Sequence, residues 1–249
     1  MDLVADIFSK LFPSRCIFCR HTVSRPSLKG PVIRSPADIC ADCFKQLPHN
    51  ASCCVRCALP LPEEAGATVL CGRCIKKAPA FDYAYSLFRY EADIIRLIHQ
   101  LKFAEKITYA RSLGELLLMM WQAESSAVEL QPDCLLPVPL HPARLRQRGF
   151  NQSIEIARII SSRLQIPIEY DAVIRQRQTT SQTGLDARQR RRNIRGAFEV
   201  VTEIKAKHIL IIDDVMTTGS TVNELARVLK KSGVQCIGVL SVARAPLKS

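Results

Sequence analysis

Aromatic side chains are scarce in this chain of 249 residues: they make up 6%, with a single tryptophan, Trp121. A base-stacking platform of the kind OB-folds offer to single strands is therefore not expected. Nor is there an apolar run of about 18 residues, the length a membrane-spanning helix needs; even Leu113–Trp121 is interrupted by Glu115. The first residues include Asp2 and Asp6 and lack an apolar stretch before a small-residue cleavage site. No secretory signal is read there, and a cytoplasmic setting is expected. The dipeptide Gly-Lys does not occur, which removes a Walker A loop and with it a Walker B reading of any acidic strand end. No helix-turn-helix pattern stands out. Acids are in short supply, 23 against 35 Lys and Arg, for a formal net charge of +12. That imbalance favours phosphate-bearing partners. A hydrophobic share of 47% with 23% charged residues suits a folded chain rather than a disordered one.

Cysteine, by contrast, is abundant, with eleven residues. Eight fall into Cys-x-x-Cys pairs: Cys16 and Cys19, Cys40 and Cys43, Cys54 and Cys57, Cys71 and Cys74. Two such pairs can wrap one Zn²⁺ tetrahedrally with four thiolates, and a site closed in this way leaves no position for a catalytic water. Structural zinc is therefore expected. Sequential use of the pairs gives two sites, and cross-braced use is the other arrangement. Cys53 is left as a loop thiol, while Cys134 and Cys236 lie in apolar runs and read as small buried hydrophobes. Residues 1–80 thus form a small metal-stapled module, with Asp2–Phe12 expected as a short helix, and residues 81–249 form a second domain beginning after Pro79.

In that second domain, strands are expected over Tyr83–Tyr90, Cys134–Val138, Ala172–Ile174, Phe198–Val201 and Ile209–Ile212. Helices are expected over Glu91–Phe103, with an apolar stripe of Ile94, Ile95, Ile98 and Leu101, over Thr108–Ala123, and from about Gly149 to Leu164. His99 reads as a packed or surface histidine. The stretch Ile209–Thr221 organises the whole. Four aliphatic residues make a buried strand, Asp213 and Asp214 follow where it should end, and a loop rich in hydroxyls leads into an amphipathic helix carrying Leu225, Val228 and Leu229. Such a strand, loop and helix N-terminus cradle a phosphate. Thr217, Thr218, Ser220 and Thr221 add hydroxyl donors, and Gly219 permits close approach or positive φ. The two acids can accept hydrogen bonds from vicinal hydroxyls or hold a metal through water. A strand end with a solvated turn is the plain alternative.

Two basic segments accompany this stretch. Pro139, Leu140, His141 and Pro142 force an irregular loop after the Cys134–Val138 strand, and Arg144, Arg146 and Arg148 follow with no acid before Glu155. Arginines without local counter-charge suit a polyphosphate, though a solvated face would also carry them. Farther on, Arg177–Arg195 is strongly basic behind a polar front that includes Thr179, Thr180, Ser181, Gln182 and Thr183.

The string Ile209–Thr221, with Val215 inside it, resembles the phosphoribosyl-pyrophosphate (PRPP) signature of type I phosphoribosyltransferases. That resemblance implies that Asp213 and Asp214 hold the ribose hydroxyls, and that Thr217–Thr221 hold the 5′-phosphate. It also implies that Pro139, Leu140, Arg144 and Arg148 face the pyrophosphate, and that a flexible loop with Thr180, Gln182, Arg190 and Arg191 closes over the site. The order of motifs narrows the family. Cysteine knuckles ending in Cys71-Gly72-Arg73-Cys74 are followed by Leu97-Ile98-His99-Gln100-Leu101-Lys102-Phe103 and Pro137-Val138-Pro139-Leu140. Next come Arg148-Gly149-Phe150-Asn151-Gln152, then Thr180-x-Gln182-x-x-Leu185, Arg190, Asn193, Ala197-Phe198 and the signature. From Cys16 to Arg244 the chain is similar to the ComF/GntX family of bacterial competence and DNA-utilisation proteins. The implied fold is α/β: a type I phosphoribosyltransferase-like parallel sheet flanked by helices, preceded by a small Cys-rich double zinc-ribbon module.

Two classes of function follow. One is a Mg²⁺-dependent transferase that moves ribose 5-phosphate from PRPP to an acceptor, with Asp213 and Asp214 as its catalytic residues. The other is a binding protein that recognises PRPP or nucleic-acid phosphates and holds single-stranded DNA, with competence-machinery proteins as further partners. A PRPP-responsive regulator is a third form of the same idea.

Overall fold

The computed structural model describes residues 15–23, 38–62, 69–103, 108–125, 131–177 and 187–246. The helix expected over Asp2–Phe12 lies outside the described residues. The chain forms two compact units, Met1–Leu47 and Pro48–Ser249.

In the N-terminal unit the first cysteine knuckle is closed by the Cys16 N–H donating to the His21 carbonyl at 2.8 Å, beside an antiparallel bridge between Arg15 and Thr22. Helix α1 (Ala41–Gln46) begins at Cys40, whose Sγ accepts from the Cys43 N–H at 3.5 Å. The cysteine thus occupies the cap position that Ser or Asp usually fills. Among the described residues of this unit, the buried apolar ones are Cys16, Val23, Ile39 and Leu47. So little buried surface does not hold a fold without a staple.

The sheet unit contains α2 (Gly72–Lys76), β1 (Tyr83–Arg89), α3 (Ala92–Phe103), α4 (Thr108–Ser125), β2 (Cys134–Pro137), α5 (Pro142–Arg148) and α6 (Gln152–Leu164). It continues with β3 (Val173–Arg175), α7 (Ala187–Ile194), β4 (Phe198–Val200), β5 (His208–Met216), α8 (Ser220–Lys231) and β6 (Cys236–Arg244). Four strands form one sheet in the order β1-β6-β5-β2, and every pair is parallel. The two central strands are apolar on both faces: Ile209, Leu210, Ile211 and Ile212 are all fully buried. Strand β1, at an edge, alternates buried and half-buried positions. Helix α4 packs on α6. Gly114 lets them approach closely, since a Cβ there would come within 2.8 Å of the Ile159 Cβ. The stripe of α3 centres on Ile94, Leu97, Ile98 and Leu101, while Ile95, expected within it, is 39% exposed. His99 is exposed, as a surface histidine would be.

Strands β3 and β4 pair antiparallel as a separate ribbon. By composition residues 48–80 go with the cysteine-rich module; by packing they fold with the sheet. Cys54, Cys57, Leu59, Cys71 and Cys74 share one continuous core with Ile209 and Ile211 of β5 and with Val222, Leu225 and Leu229 of α8. Among the described residues, no helix is long and apolar enough to cross a membrane.

Candidate functional site

Strand β5 runs farther than its hydrophobic stretch suggests. The expected strand ends at Ile212, yet the ladder with β6 continues through Asp213 opposite Ser241, Val215 opposite Ala243 and Met216 opposite Arg244. Strand β2 stops earlier: Pro137 pairs with Ile212, and Val138 gives the last hydrogen bond on that side, 3.0 Å to the Ile212 carbonyl. Residues Asp213–Met216 are therefore paired on the β6 side and no longer on the β2 side, at the C-terminal end of a parallel sheet, where open α/β folds bind ligands.

Being successive strand residues, Asp213 and Asp214 point to opposite sides. Asp214 is 8% exposed and meets Lys102 Nζ from the last turn of α3 at 2.8 Å. The Asp214 N–H donates to Asp213 Oδ1 at 2.9 Å. Burial, then the negative charge of Asp214, push the Asp213 carboxyl up to about 8, against the opposing pull of Lys102 and Arg175. Two acids are thus crowded at one strand end, and a cation or a hydroxyl donor would relieve them.

The loop that follows has the expected form. Gly219 adopts φ +74° at the N-cap of the 12-residue helix α8. The Thr218 and Ser220 hydroxyl oxygens lie 2.7 Å apart, and the Ser220 N–H donates to Thr218 Oγ1 at 3.3 Å. Thr217, Thr218, Gly219, Ser220 and Thr221 are all half-buried, as is Val215. The first-turn amides of α8 and its dipole follow directly on these hydroxyls.

The arginine segment differs from the irregular loop expected for it. Pro139 and Leu140 do form a loop, but Arg144, Arg146 and Arg148 lie on α5. Pro142 starts that helix, His141 Nδ1 caps it by accepting from the Ala143 N–H at 3.2 Å, and Gly149 ends it at φ +75°. Four residues apart on this helix, Arg144 and Arg148 share a half-buried face, whereas Arg146 is exposed. Arg148 Nη1 donates to Gln152 Oε1 at 3.2 Å. Burial lowers the Arg148 guanidinium, while the Asp214 charge supports its protonated form.

Arg175, at the end of β3, is 7% exposed and lies 5.6 Å from the Phe198 ring centroid. Burial and then Arg144 bring it down to about 10, with Asp213 opposing. Lys102, Arg144, Arg148 and Arg175 therefore all stand within electrostatic reach of Asp213 or Asp214, of each other, or of both. Chemically this is a site for a ligand that combines hydroxyls with several phosphate charges.

Of the basic loop, Thr180 and Gln182 lie outside the described residues, and the backbone of Arg190 and Arg191 belongs to α7. The C-terminal end of that segment is tied to α8. Buried Glu224 of α8 accepts from the Gly196 N–H at 2.8 Å and from Arg227 Nη1 at 3.0 Å.

Sequence reasoning missed Glu224, Arg175 and Arg244, and gave Lys102 no role although it lies within a motif that carried the resemblance. Arg244 donates to four backbone carbonyls, those of Cys57, Met216, Thr217 and Ala245, and so braces the start of the loop that follows β5. The one local signal for Arg175 and Arg244 is a lone arginine closing an apolar strand.

The cysteines form two separate clusters, Cys16–Cys19–Cys40–Cys43 and Cys54–Cys57–Cys71–Cys74, each with its sulfurs within 4.8 Å of one another. Pairing is sequential, not cross-braced. Within each cluster a sulfur–sulfur distance spanning the two knuckles is 3.7 Å, between Cys19 and Cys40 and between Cys57 and Cys71. A tetrahedral zinc with bonds of about 2.3 Å has edges of about 3.8 Å, so both donor sets fit the ion. None of the eleven cysteines is joined in a disulfide. Burial works to raise Cys54, yet N–H donation from Cys71, Cys57 and Arg56 outweighs it and brings the thiol down to about 7. Cys16 repeats the pattern: burial is overcome by backbone donors of Cys19, Cys40 and Phe18, again to about 7. One ligand of each set is thus prepared as thiolate. Cys134 is buried as expected, whereas Cys236 is half-buried.

Residues 151–248 match the family model of the phosphoribosyl transferase domain, and residues 7–75 match that of the double zinc ribbon domain. The chain is 33% identical over 234 residues to the DNA utilization protein YhgH of Salmonella typhimurium, covering 93% of this chain and 97% of that protein. It is 38% identical over 175 residues to the protein of that name from Escherichia coli, 70% of this chain and 77% of the relative. To Competence protein F of Haemophilus influenzae it is 32% identical over 241 residues, 94% and 98% of the two chains.

Proposed function

The chain belongs to the ComF/GntX family of phosphoribosyltransferase-like competence and DNA-utilisation proteins, and we propose that it binds PRPP in the uptake and use of single-stranded DNA. The observation that carries this is the constellation at the end of β5: two crowded carboxylates, a loop at a helix N-terminus, and cations from three other elements. Asp213 and Asp214 accept from the ribose hydroxyls. Thr217, Thr218, Gly219, Ser220 and Thr221 hold the 5′-phosphate, with Val215 fixing the strand end between them. Pro139 and Leu140 line the pyrophosphate side, where Arg144 and Arg148 supply charge. The loop with Thr180, Gln182, Arg190 and Arg191 covers the ligand. The oxygen-rich acid pair suits Mg²⁺, which would be held through water and the ligand's phosphates and would neutralise pyrophosphate charge.

DNA enters through the names of the relatives and through the net charge of +12. A single strand is bound through its phosphates by the basic segments. Residues 1–80 then serve as the zinc-ribbon module and 81–249 as the phosphoribosyl domain. The protein acts in the cytoplasm alongside other competence proteins.

A second reading, active transfer, is favoured by the same acid pair beside an arginine cluster. The bond between the anomeric carbon and pyrophosphate breaks, a bond to the acceptor nucleophile forms, and the departing charge is met by Arg144 and Arg148. Labelled PRPP with Mg²⁺ and candidate acceptors separates the two readings. Pyrophosphate release that depends on an acceptor makes the protein an enzyme. Tight PRPP binding without release leaves it a binding protein.

A further inference from the structure

Arg244 closes β6 and is only 2% exposed, so a whole guanidinium is sealed within the protein. A charge buried so deeply is costly unless its hydrogen bonds are met. Here Nε and the two Nη1 hydrogens are shared among four backbone carbonyls, and the identity of those carbonyls is informative. Nε donates to the carbonyl of Cys57 at 3.0 Å, inside the second cysteine cluster. Nη1 donates to Met216 at 3.0 Å and to Thr217, the residues that open the phosphate loop, and to Ala245 at 3.0 Å. One rigid planar fork thus joins a metal knuckle to the loop. The knuckle and the loop's helix also share a continuous core through Cys54, Cys57 and Val222. A zinc ion held by four thiolates is a net anion, which would also offset the buried guanidinium.

We infer that Arg244 is a positioning residue that couples the second cysteine cluster to the phosphate loop, so that metal at Cys54, Cys57, Cys71 and Cys74 and a phosphoribosyl ligand at Thr217–Thr221 strengthen each other's binding. This rests on reading Thr217–Thr221 as a phosphate loop. The Cys57 carbonyl stays in place while the cluster is loaded, Arg244 stays aimed, and the Met216 and Thr217 carbonyls turn toward it, leaving the loop's amides facing the ligand. Coupling between two sites is reciprocal: whatever factor the metal adds to ligand affinity, the ligand adds to metal affinity.

The test uses the full-length zinc-loaded protein, a zinc-selective chelator in excess Mg²⁺, and mass-spectrometric mapping of cysteine alkylation with and without PRPP. Calorimetry on the same samples reports whether PRPP binds. In the wild type, PRPP should slow alkylation of Cys54, Cys57, Cys71 and Cys74 by a factor of roughly 5 or more, the lower end of common coupling strengths. In R244K, whose ammonium cannot span both carbonyl sets, zinc should remain bound, PRPP affinity should fall about tenfold, and the protection by PRPP should vanish. PRPP that binds the wild type without slowing alkylation overturns the coupling and leaves the site reading intact. PRPP that does not bind the wild type overturns both. Protection that persists in R244K assigns the coupling to other residues and removes Arg244 from the role. R244Q supplies the same readout if R244K does not fold, and the wild-type arm decides the coupling without any variant.

Discussion

The two cysteine clusters share a spacing rule and a preparation chemistry but not a setting. In the first, Cys19 is exposed and Cys40 and Cys43 are half-buried; in the second, all four cysteines are buried. Among the described residues around the first, only Cys16, Val23, Ile39 and Leu47 are buried apolar ones, so its metal is most of what folds them. The second is set into the core that carries β5 and α8, so its metal adds to a fold that already buries a sheet. Identical Cys-x-x-Cys pairs can therefore serve as a foundation in one place and as a brace for a ligand loop in another.

The largest expected effect sharpens that contrast. A structural zinc contributes apparent binding free energy of about 10 kcal/mol or more. Cys43→Ser should abolish protection of residues 15–23 and 38–47 in hydrogen exchange while leaving β5 and β6 protected. Cys74→Ser should lower the melting temperature of the sheet unit itself. If the two variants gave the same exchange pattern, the clusters would not differ in role.

Next in size is the ion pair between Lys102 and Asp214, with side chains 22% and 11% exposed. Lys102→Ala leaves Asp214 buried without its cation, at a cost of about 3 kcal/mol in urea unfolding. Zinc content should not change. A loss of metal alongside stability would mean that the acid pair and the second cluster are not separable.

How much of the molecule is legible in its sequence varies with the distance between the residues concerned. The strand, hydroxyl loop and helix around Asp213 read directly, because their chemistry lies within one short stretch. The four cysteine pairs read directly too, though their sequential pairing needed the 3.7 Å contacts. The end of β5 was misplaced. Charge at Asp213 looked like an exit from the sheet, but the β6 ladder carries the strand on past both acids. The pyrophosphate-side loop was expected to include Arg144 and Arg148, although Pro142 and Gly149 bound a helix there. Lys102, Arg175 and Arg244 come from far along the chain, and no local pattern pairs a lone cation with a distant carboxylate or carbonyl.

A smaller effect concerns Asp213, whose native carboxyl is raised to about 8 from an unfolded value of about 3.9. Between these values the native protein keeps a proton that the unfolded chain has released, so the contribution of Asp213 to stability falls as pH rises across that window. In ligand-free protein, Asp213→Asn should therefore melt higher than wild type by a margin that grows from pH 4 to pH 8 and then levels off. A constant margin would show that Asp213 does not carry the shift. Exchange protection of residues 15–23 and 38–47 should not respond, which again separates the two regions.

The smallest effect is on DNA. Arg190→Ala with Arg191→Ala and Arg192→Ala should weaken single-strand binding by about tenfold or less. The log–log salt dependence should flatten by about 0.7 for each phosphate that the variant no longer neutralises. Fluorescence anisotropy at several salt concentrations measures both. An unchanged slope would move the DNA site to the cysteine-rich region, and the contrast between the clusters would then have to include a share in DNA binding.

Most direct is titration calorimetry of PRPP with Mg²⁺ into the wild type and into a variant carrying Asp213→Asn and Asp214→Asn. Saturable binding is expected in the wild type. The variant should lose it, since each charged hydrogen bond removed costs about 1.5–3 kcal/mol, while keeping its zinc and its fold. Equal affinity in the two folded proteins, or no binding to the wild type, would contradict a phosphoribosyl site at the end of β5.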